Sequence, residues 1–165
     1  MPVTSAGLLL YRLVGEESDA PADPEVLIAH MGGPFWASKD AGAWTIPKGE
    51  YDAEHEAAAD AAIREFREEL GVAPPSGAMA ELGTWAYSSG KRITVFVADG
   101  AGFSTADLTF GTFELEWPPR SGRMQEFPEV DRAEWAPIGA ARELLVKGQR
   151  AALDALAAYL EDAQA

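Results

Sequence analysis

Residues Trp44 to Val72 read WTIPKGEYDAEHEAAADAAIREFREELGV, and their pattern predicts a short strand, a glycine-containing loop and a helix of about four turns. In the second half of the stretch Glu65, Glu68 and Glu69 stand at i, i+3 and i+4, so a helix stacks these carboxylates on one face, with Glu56 roughly two and a half turns earlier. At about 100° per residue, Ala58 and Ala61 fall among the carboxylates, while Ala59, Ala62, Ile63, Phe66 and Leu70 share a different, apolar side. Like charges one turn apart repel by a few tenths of a kcal/mol, so such a ridge calls for solvent or for a cation. A hard divalent ion suits it: Mg²⁺ prefers carboxylate oxygens, keeps several waters and takes its remaining ligands from substrate phosphates. The small alanines would leave room for that substrate. A solvated, glutamate-rich surface helix has the same spacing, and spacing alone does not separate the two readings.

Arg64 precedes the ridge and reaches Glu68 at i+4, where it can hold a carboxylate in one rotamer. Gly71 is placed to end the helix as its C′ glycine. Together these residues resemble the Nudix box of the Nudix hydrolases, G-x5-E-x7-R-E-U-x-E-E-x-G-U with U a bulky apolar residue. From Glu56 onward the register is complete through Arg64, Glu65, Phe66, Arg67, Glu68, Glu69, Leu70, Gly71 and Val72, with an aromatic in one apolar slot. At the start the register departs: six residues, not five, separate Gly49 from Glu56, which places one extra residue in the loop from Glu50 to His55. The lead-in Trp44-Thr45-Ile46-Pro47-Lys48-Gly49 also resembles the segment before the box in members that cleave nucleotides and dinucleoside polyphosphates.

The resemblance implies an α/β fold, a mixed central sheet in an α/β/α sandwich, and a metal-dependent hydrolase of diphosphate linkages. It further implies that Glu65, Glu68, Glu69 and the Gly49 carbonyl ligate Mg²⁺, with Mn²⁺ as the alternative ion. Members of the family draw a further glutamate from a later loop; Glu126 is the first choice here and Glu129 the second. Cleaving a diphosphate requires metal ions that neutralise the phosphates and acidify the attacking water, with Glu65 or Glu126 accepting its proton and Arg64 orienting the cluster. The substrate class it favours is a nucleoside triphosphate or a dinucleoside polyphosphate. A sugar nucleotide is the nearest alternative, and a non-catalytic nucleotide-sensing module is the alternative outside enzymes. A plain divalent-ion binder is disfavoured because the loop lacks the D-x-[DN]-x-[DN]-G order of an EF-hand.

With 165 residues, 47% apolar and 24% charged, the chain is expected to form a single domain spanning residues 1–165. It contains no run of about 18 apolar residues and no basic, cleavable leader, so a cytoplasmic location is expected. The absence of cysteine excludes disulfides, zinc–thiolate sites and thiol nucleophiles. A net charge of −14 argues against nucleic-acid and anionic-membrane partners, while a small nucleotide-like diphosphate is admissible if metal ions screen the carboxylates. A monomer and a homodimer are both compatible with the sequence.

Outside the central stretch, Ser5–Leu13 and Glu25–His30 read as buried strands that pair, joined by a polar, proline-containing loop. His30 reads as structural. Gly32-Gly33-Pro34 breaks the chain before Phe35 and Trp36; these rings beside Lys39 either stack a base and contact a phosphate or fold back onto the core. Lys39 and Lys48 are candidate phosphate contacts among only 13 basic residues. Ala80–Tyr87 and Arg92–Ala98 read as strands around the turn SSGK, where Lys91 is a further phosphate candidate. Thr112–Trp117 reads as a strand followed by a long mixed loop in which Arg120 and Arg123 are further phosphate candidates, beside Glu126 and Glu129. Asp131–Pro137 then reads as the last strand, Gly139–Val146 as a short helix, and Gln149–Ala163 as a longer one with a core stripe of Leu153, Leu156, Tyr159 and Leu160.

Overall fold

The computed structural model describes residues 3–14, 23–88 and 90–164. Strands β1 (Val3–Val14) and β2 (Asp23–Met31) occupy the two buried runs and pair antiparallel, with Tyr11 opposite Val26. Most of the loop expected between them, the SSGK turn at residue 89 and the side chain of Tyr87 lie outside the described residues.

The sheet opens between β1 and β2. Only the second half of β1 pairs with β2; β3 (Trp44–Thr45) continues along β2, and β4 (Lys48–Glu50) pairs with the first half of β1, Gly49 opposite Ala6. The chain thus crosses the split between Thr45 and Lys48, and Leu8 N–H closes it by donating to the Pro47 carbonyl at 3.1 Å.

After α1 (Ala58–Leu70), the hairpin of β5 (Ala80–Ser88) and β6 (Lys91–Asp99) lies alongside β1, with β6 parallel to it from Val3–Lys91 to Tyr11–Asp99. A separate two-stranded sheet of β7 (Thr112–Glu116) and β8 (Met124–Pro128) leads into β9 (Val130–Pro137), which runs antiparallel along the other edge of β2. Helix α2 (Ile138–Leu144), a 3-10 turn (Lys147–Gln149) and α3 (Arg150–Gln164) end the chain.

Alternation along the strands sorts the core into two layers. Leu9, Val26, Ile28, Val95 and Val97 join Leu153, Leu156 and Leu160 of α3 on one side. Leu8, Leu10, Leu27, Ala29 and Phe96 join Ala61, Ala62, Phe66 and Leu70 of α1 on the other. Both faces are covered, which is why these strands read as nearly continuous apolar runs. The result is a mixed α/β/α sandwich. Phe66 is fully buried and meets Phe103 edge to face at 5.6 Å, a burial worth about 2–3 kcal/mol.

Three expectations change. The long mixed loop after Trp117 is largely a hairpin, because Phe127 stands opposite Phe113 and registers residues 124–128 against β7. Ala61 lies in the core and not beside a substrate, since α1 buries an arc wide enough to include Ala61, Ala62 and Glu69. Glu56 precedes α1 and is carried by the loop instead of the helix face.

His30 is buried, with Nδ1 2.8 Å from the Asp131 carboxylate and Nε2 2.7 Å from the Lys39 carbonyl. It fastens β2 to the start of β9 and to the loop carrying Trp36, the structural role its place in the sequence suggests.

Candidate active site

Helix α1 begins at Ala58 without a side-chain cap and stops at Gly71, whose φ of +75° is left-handed and whose N–H donates to the Arg67 carbonyl at 2.8 Å. A Cβ at that glycine would strike the Thr109 backbone. Between these ends the ridge carboxylates occupy three different environments. Glu68 is 57% exposed, Glu65 is 13% exposed, and Glu69 is buried.

Arg64 organises the outer part of this ridge. Its guanidinium donates to both Glu56 oxygens at 2.9 Å, to one Glu65 oxygen at 2.8 Å, to one Glu68 oxygen at 3.3 Å and to the Glu50 carbonyl at 3.4 Å. The hydrogen bonds from Arg64 hold the Glu56 carboxyl below its ordinary range. Glu65 and Glu68 each give Arg64 only one oxygen, so the guanidinium fixes their direction while leaving the second oxygen of each.

The inner part is set by β4. The Glu65 carboxylate occupies the space that a side chain at Gly49 would fill, while Glu69 Oε2 accepts the Lys48 backbone N–H at 3.3 Å. Burial pushes the Glu69 carboxyl up to about 8; the Lys48 ammonium and N–H pull the other way, and Glu129 and Glu65 push further up. Burial also raises Glu65, opposed by Arg64 and reinforced by Glu68 and Glu129.

Glu129 therefore faces the ridge. Its N–H donates to the Gly111 carbonyl at 2.8 Å and its carbonyl accepts from Gly32 N–H at 2.9 Å, which pins it between the β7–β8 hairpin and the end of β2. A methyl group at Gly111 would lie 3.7 Å from Glu129 Oε2 and 3.0 Å from the Glu68 carbonyl oxygen. Glu69 and Glu129 both line a cleft of about 420 Å³, together with Thr45, Lys48, Lys147 and Gln149. That volume is in the range of small-ligand sites, roughly 300–1,000 Å³.

Of the residues singled out from sequence, Arg64, Glu65, Glu68, Glu69, Gly49 and Lys48 come together. Glu126 pairs with Glu114 in the exposed hairpin and does not line the cleft. Lys39 lies over the Trp36 ring at 5.4 Å, and Trp36 packs on the core; Lys91 sits opposite Val3 at the far end of β6; Arg120, at φ +63°, lies in the β7–β8 turn. None of these lines the cleft; of the six that come together Lys48 and Glu69 line it, and Gly49, Arg64, Glu65 and Glu68 lie outside its lining. Lys147 also lines it, although no pattern in the sequence marks it: it sits in a Lys-Gly interruption between two helices.

The chemistry of the donor set fits a hard divalent ion. It consists of carboxylates and a backbone carbonyl, and one carboxylate is buried at a desolvation cost that Lys48 offsets only in part. A different group, Asp52, Glu54 and His55, brings its ligand atoms within 4.8 Å of one another and could also hold a divalent cation. It is exposed and lies in the loop with the extra residue, where His55 Nδ1 is 2.6 Å from Asp52.

Gly49→Ala should move the Glu65 carboxylate with little direct effect elsewhere, since the clash is with that side chain. A stability loss of about 1–3 kcal/mol and at least a tenfold loss of divalent-ion affinity are expected from thermal melts and metal titration.

A mixed sheet is held between helices, with a cleft bearing Glu69 and Glu129 where the sheet splits. The chain belongs to the Nudix family of hydrolases: the NUDIX domain matches residues 19–156, well over half of its length. Among solved structures, it is similar to an Ap4A hydrolase binary complex from C. elegans at 20% identity and a TM-score of 0.64, covering 97% of this chain and 98% of that one. It is similar to the NUDIX domain of Shewanella oneidensis NrtR complexed with ADP ribose (14% identity, TM-score 0.61, 97% of this chain and 89% of that one). It is also similar to the Nudix hydrolase RenU from M. smegmatis (21% identity, TM-score 0.61, 96% and 86%). At these identities the likeness is one of fold. No curated protein sequence matches the chain. Among the described residues, no helix is long and apolar enough to cross a membrane.

Proposed function

We propose that the chain hydrolyses the diphosphate linkage of a nucleoside diphosphate joined to another moiety, with nucleoside triphosphates or dinucleoside polyphosphates as the substrate class. The observation that carries this reading is the cleft in which buried Glu69 and pinned Glu129 share one space with Lys48, beside a Glu65 carboxylate seated on Gly49. Glu65, Glu68, Glu69 and the Gly49 carbonyl are the residues that would hold Mg²⁺ or Mn²⁺. When bound, such an ion neutralises phosphate oxygens and lowers the pKa of an attacking water.

The rest falls to the chain itself. Arg64 orients Glu65 and Glu68 without contacting substrate, because its donors are spent on Glu56, Glu65, Glu68 and the Glu50 carbonyl. Glu129 takes the proton from water in place of the first choice, Glu126: it faces the ridge and has no ion pair among the described residues, whereas Glu65 is already held by Arg64. Lys48 lies beside Glu69, where a phosphate entering the cleft meets it. The products are a nucleotide and either a phosphate monoester or pyrophosphate.

A screen for nucleotide products by anion-exchange chromatography over nucleoside triphosphates, dinucleoside polyphosphates, ADP-ribose and sugar nucleotides, run with and without Mg²⁺, tests this. Metal-dependent release from the polyphosphates is expected. Release confined to sugar nucleotides would move the substrate class. Binding of nucleotides without any release would replace hydrolysis with nucleotide sensing.

A further inference from the structure

Lys147 lines the cleft from the 3-10 turn between α2 and α3. Its backbone is tied down on both sides. Val146 N–H donates to the Trp44 carbonyl at 2.9 Å; the buried Gln149 side chain accepts from Ile46 N–H at 2.7 Å and donates to Thr45 Oγ1 at 2.9 Å. The strand that these bonds grip is the one that continues through Pro47 into Lys48. Lys147 and Lys48 are therefore mounted on one rigid base, though 99 positions apart (147 − 48) in the sequence.

The two lysines are not equivalent. The Lys48 ammonium acts on Glu69, whereas Lys147 is not among the charges that shift that carboxylate. Among the described residues Lys147 forms no ion pair, and its side chain is exposed. An unpaired cation in a cleft walled by glutamates, on a chain of net charge −14, supplies attraction for an anion where the rest of the surface repels one. Fixing its backbone in advance lowers the entropy lost when it engages a ligand.

We propose that Lys147 is a specificity-determining residue that binds the phosphate lying beyond the diphosphate attacked at the α1 carboxylates, and so selects nucleotides with three or more linked phosphates over those with two. This rests on the hydrolase reading above for the position of the attacked diphosphate. A two-phosphate ligand such as ADP-ribose places uncharged sugar hydroxyls where the third phosphate would lie, and gains little from the ammonium. A charged hydrogen bond at a solvent-reached site corresponds to about a tenfold change in affinity.

The test compares wild type with Lys147→Ala, Lys147→Arg and Lys147→Glu in two measurements with Mg²⁺ present. One is hydrolysis of ATP, diadenosine tetraphosphate and ADP-ribose. The other is calorimetric binding of the α,β-methylene analogues of ATP and ADP, which needs no turnover. The expected result is a rise of about tenfold in KM for the longer polyphosphates in Lys147→Ala, a larger one in Lys147→Glu, and near-wild-type values in Lys147→Arg. In Lys147→Ala and Lys147→Arg kcat, the melting temperature and the KM for ADP-ribose stay unchanged. The ATP analogue loses affinity in step while the ADP analogue does not.

Equal losses for both analogues, or none, would overturn the role of Lys147 even in an active enzyme. Selective loss of the ATP analogue in a protein that hydrolyses nothing would uphold Lys147 and overturn only the hydrolase reading. Failure of wild type to bind either analogue would overturn both.

Discussion

Glu68→Gln is expected to turn over nucleotide substrate roughly 10³-fold more slowly than wild type, with an unchanged fold. The substitution keeps the shape of the side chain and removes its charge. Because the Glu68 side chain is 57% exposed and gives Arg64 a single contact of 3.3 Å, its loss should change stability by no more than about 0.5 kcal/mol. Its value to the reaction is of a different order: a carboxylate on this ridge supplies one of few full negative charges able to ligate a divalent ion beside the cleft. The same change at Glu126, out on the β7–β8 hairpin, should leave kcat within about twofold. Steady-state kinetics with Mg²⁺ and thermal melts of both variants make the comparison. Full activity in Glu68→Gln would remove that residue from the site, and loss of activity in Glu126→Gln would restore the loop glutamate first favoured from sequence.

The second large effect is a dependence of stability on pH that divalent ions suppress. Glu69 is pushed up to about 8 in the folded chain from an ordinary 4.5, so between those values the folded state keeps a proton that the unfolded state has released. Stability from this group is full below about 4.5 and is lost as pH rises through about 8. Glu65, also raised, adds in the same direction. Glu56, Asp52 and Asp154 are lowered and work the opposite way, but their contributions disappear on the acid side, below their ordinary carboxylate range. Metal-free protein should accordingly lose on the order of a few kcal/mol between pH 5 and 8.5, with a falling melting temperature. Mg²⁺ should flatten the curve by stabilising the ionised carboxylates, and Glu69→Gln should flatten it without metal. A metal-free curve equally steep in Glu69→Gln would assign the loss to the general excess of negative charge.

Much of the fold is local in origin and was legible. The α1 ridge, its Gly71 stop and the apolar runs of β1, β2 and β6 each lie within a short window, where side-chain pattern and turn chemistry act directly. What escaped depends on distant pairing. The polar Gln125 and Glu126 interrupt the apolar pattern of residues 124–128, so β8 is visible only once Phe127 stands opposite Phe113. That hairpin in turn decides that Glu129, and not Glu126, faces α1. Lys147 reaches the cleft through bonds from Val146 and Gln149 to residues 44–46, for which no local signal exists. Gly49 was obscured by the extra loop residue. Its place is explained by the Glu65 carboxylate packed over it, a contact between a strand and a helix that residue counting does not contain. Ala61 lies in the core because the buried arc of α1 is wider than its apolar residues suggest, extending past Glu69.

Titration with Mn²⁺, with free ion followed by electron paramagnetic resonance, asks most directly whether the ridge of α1 exists to hold divalent cations. Wild type, a Glu68→Gln/Glu69→Gln variant, and an Asp52→Asn/Glu54→Gln/His55→Gln variant suffice. The expected result is a tight site in wild type that survives removal of the exposed loop group and is lost with the two ridge carboxylates. Retention of that site in the ridge variant, with its loss in the loop variant, would contradict it.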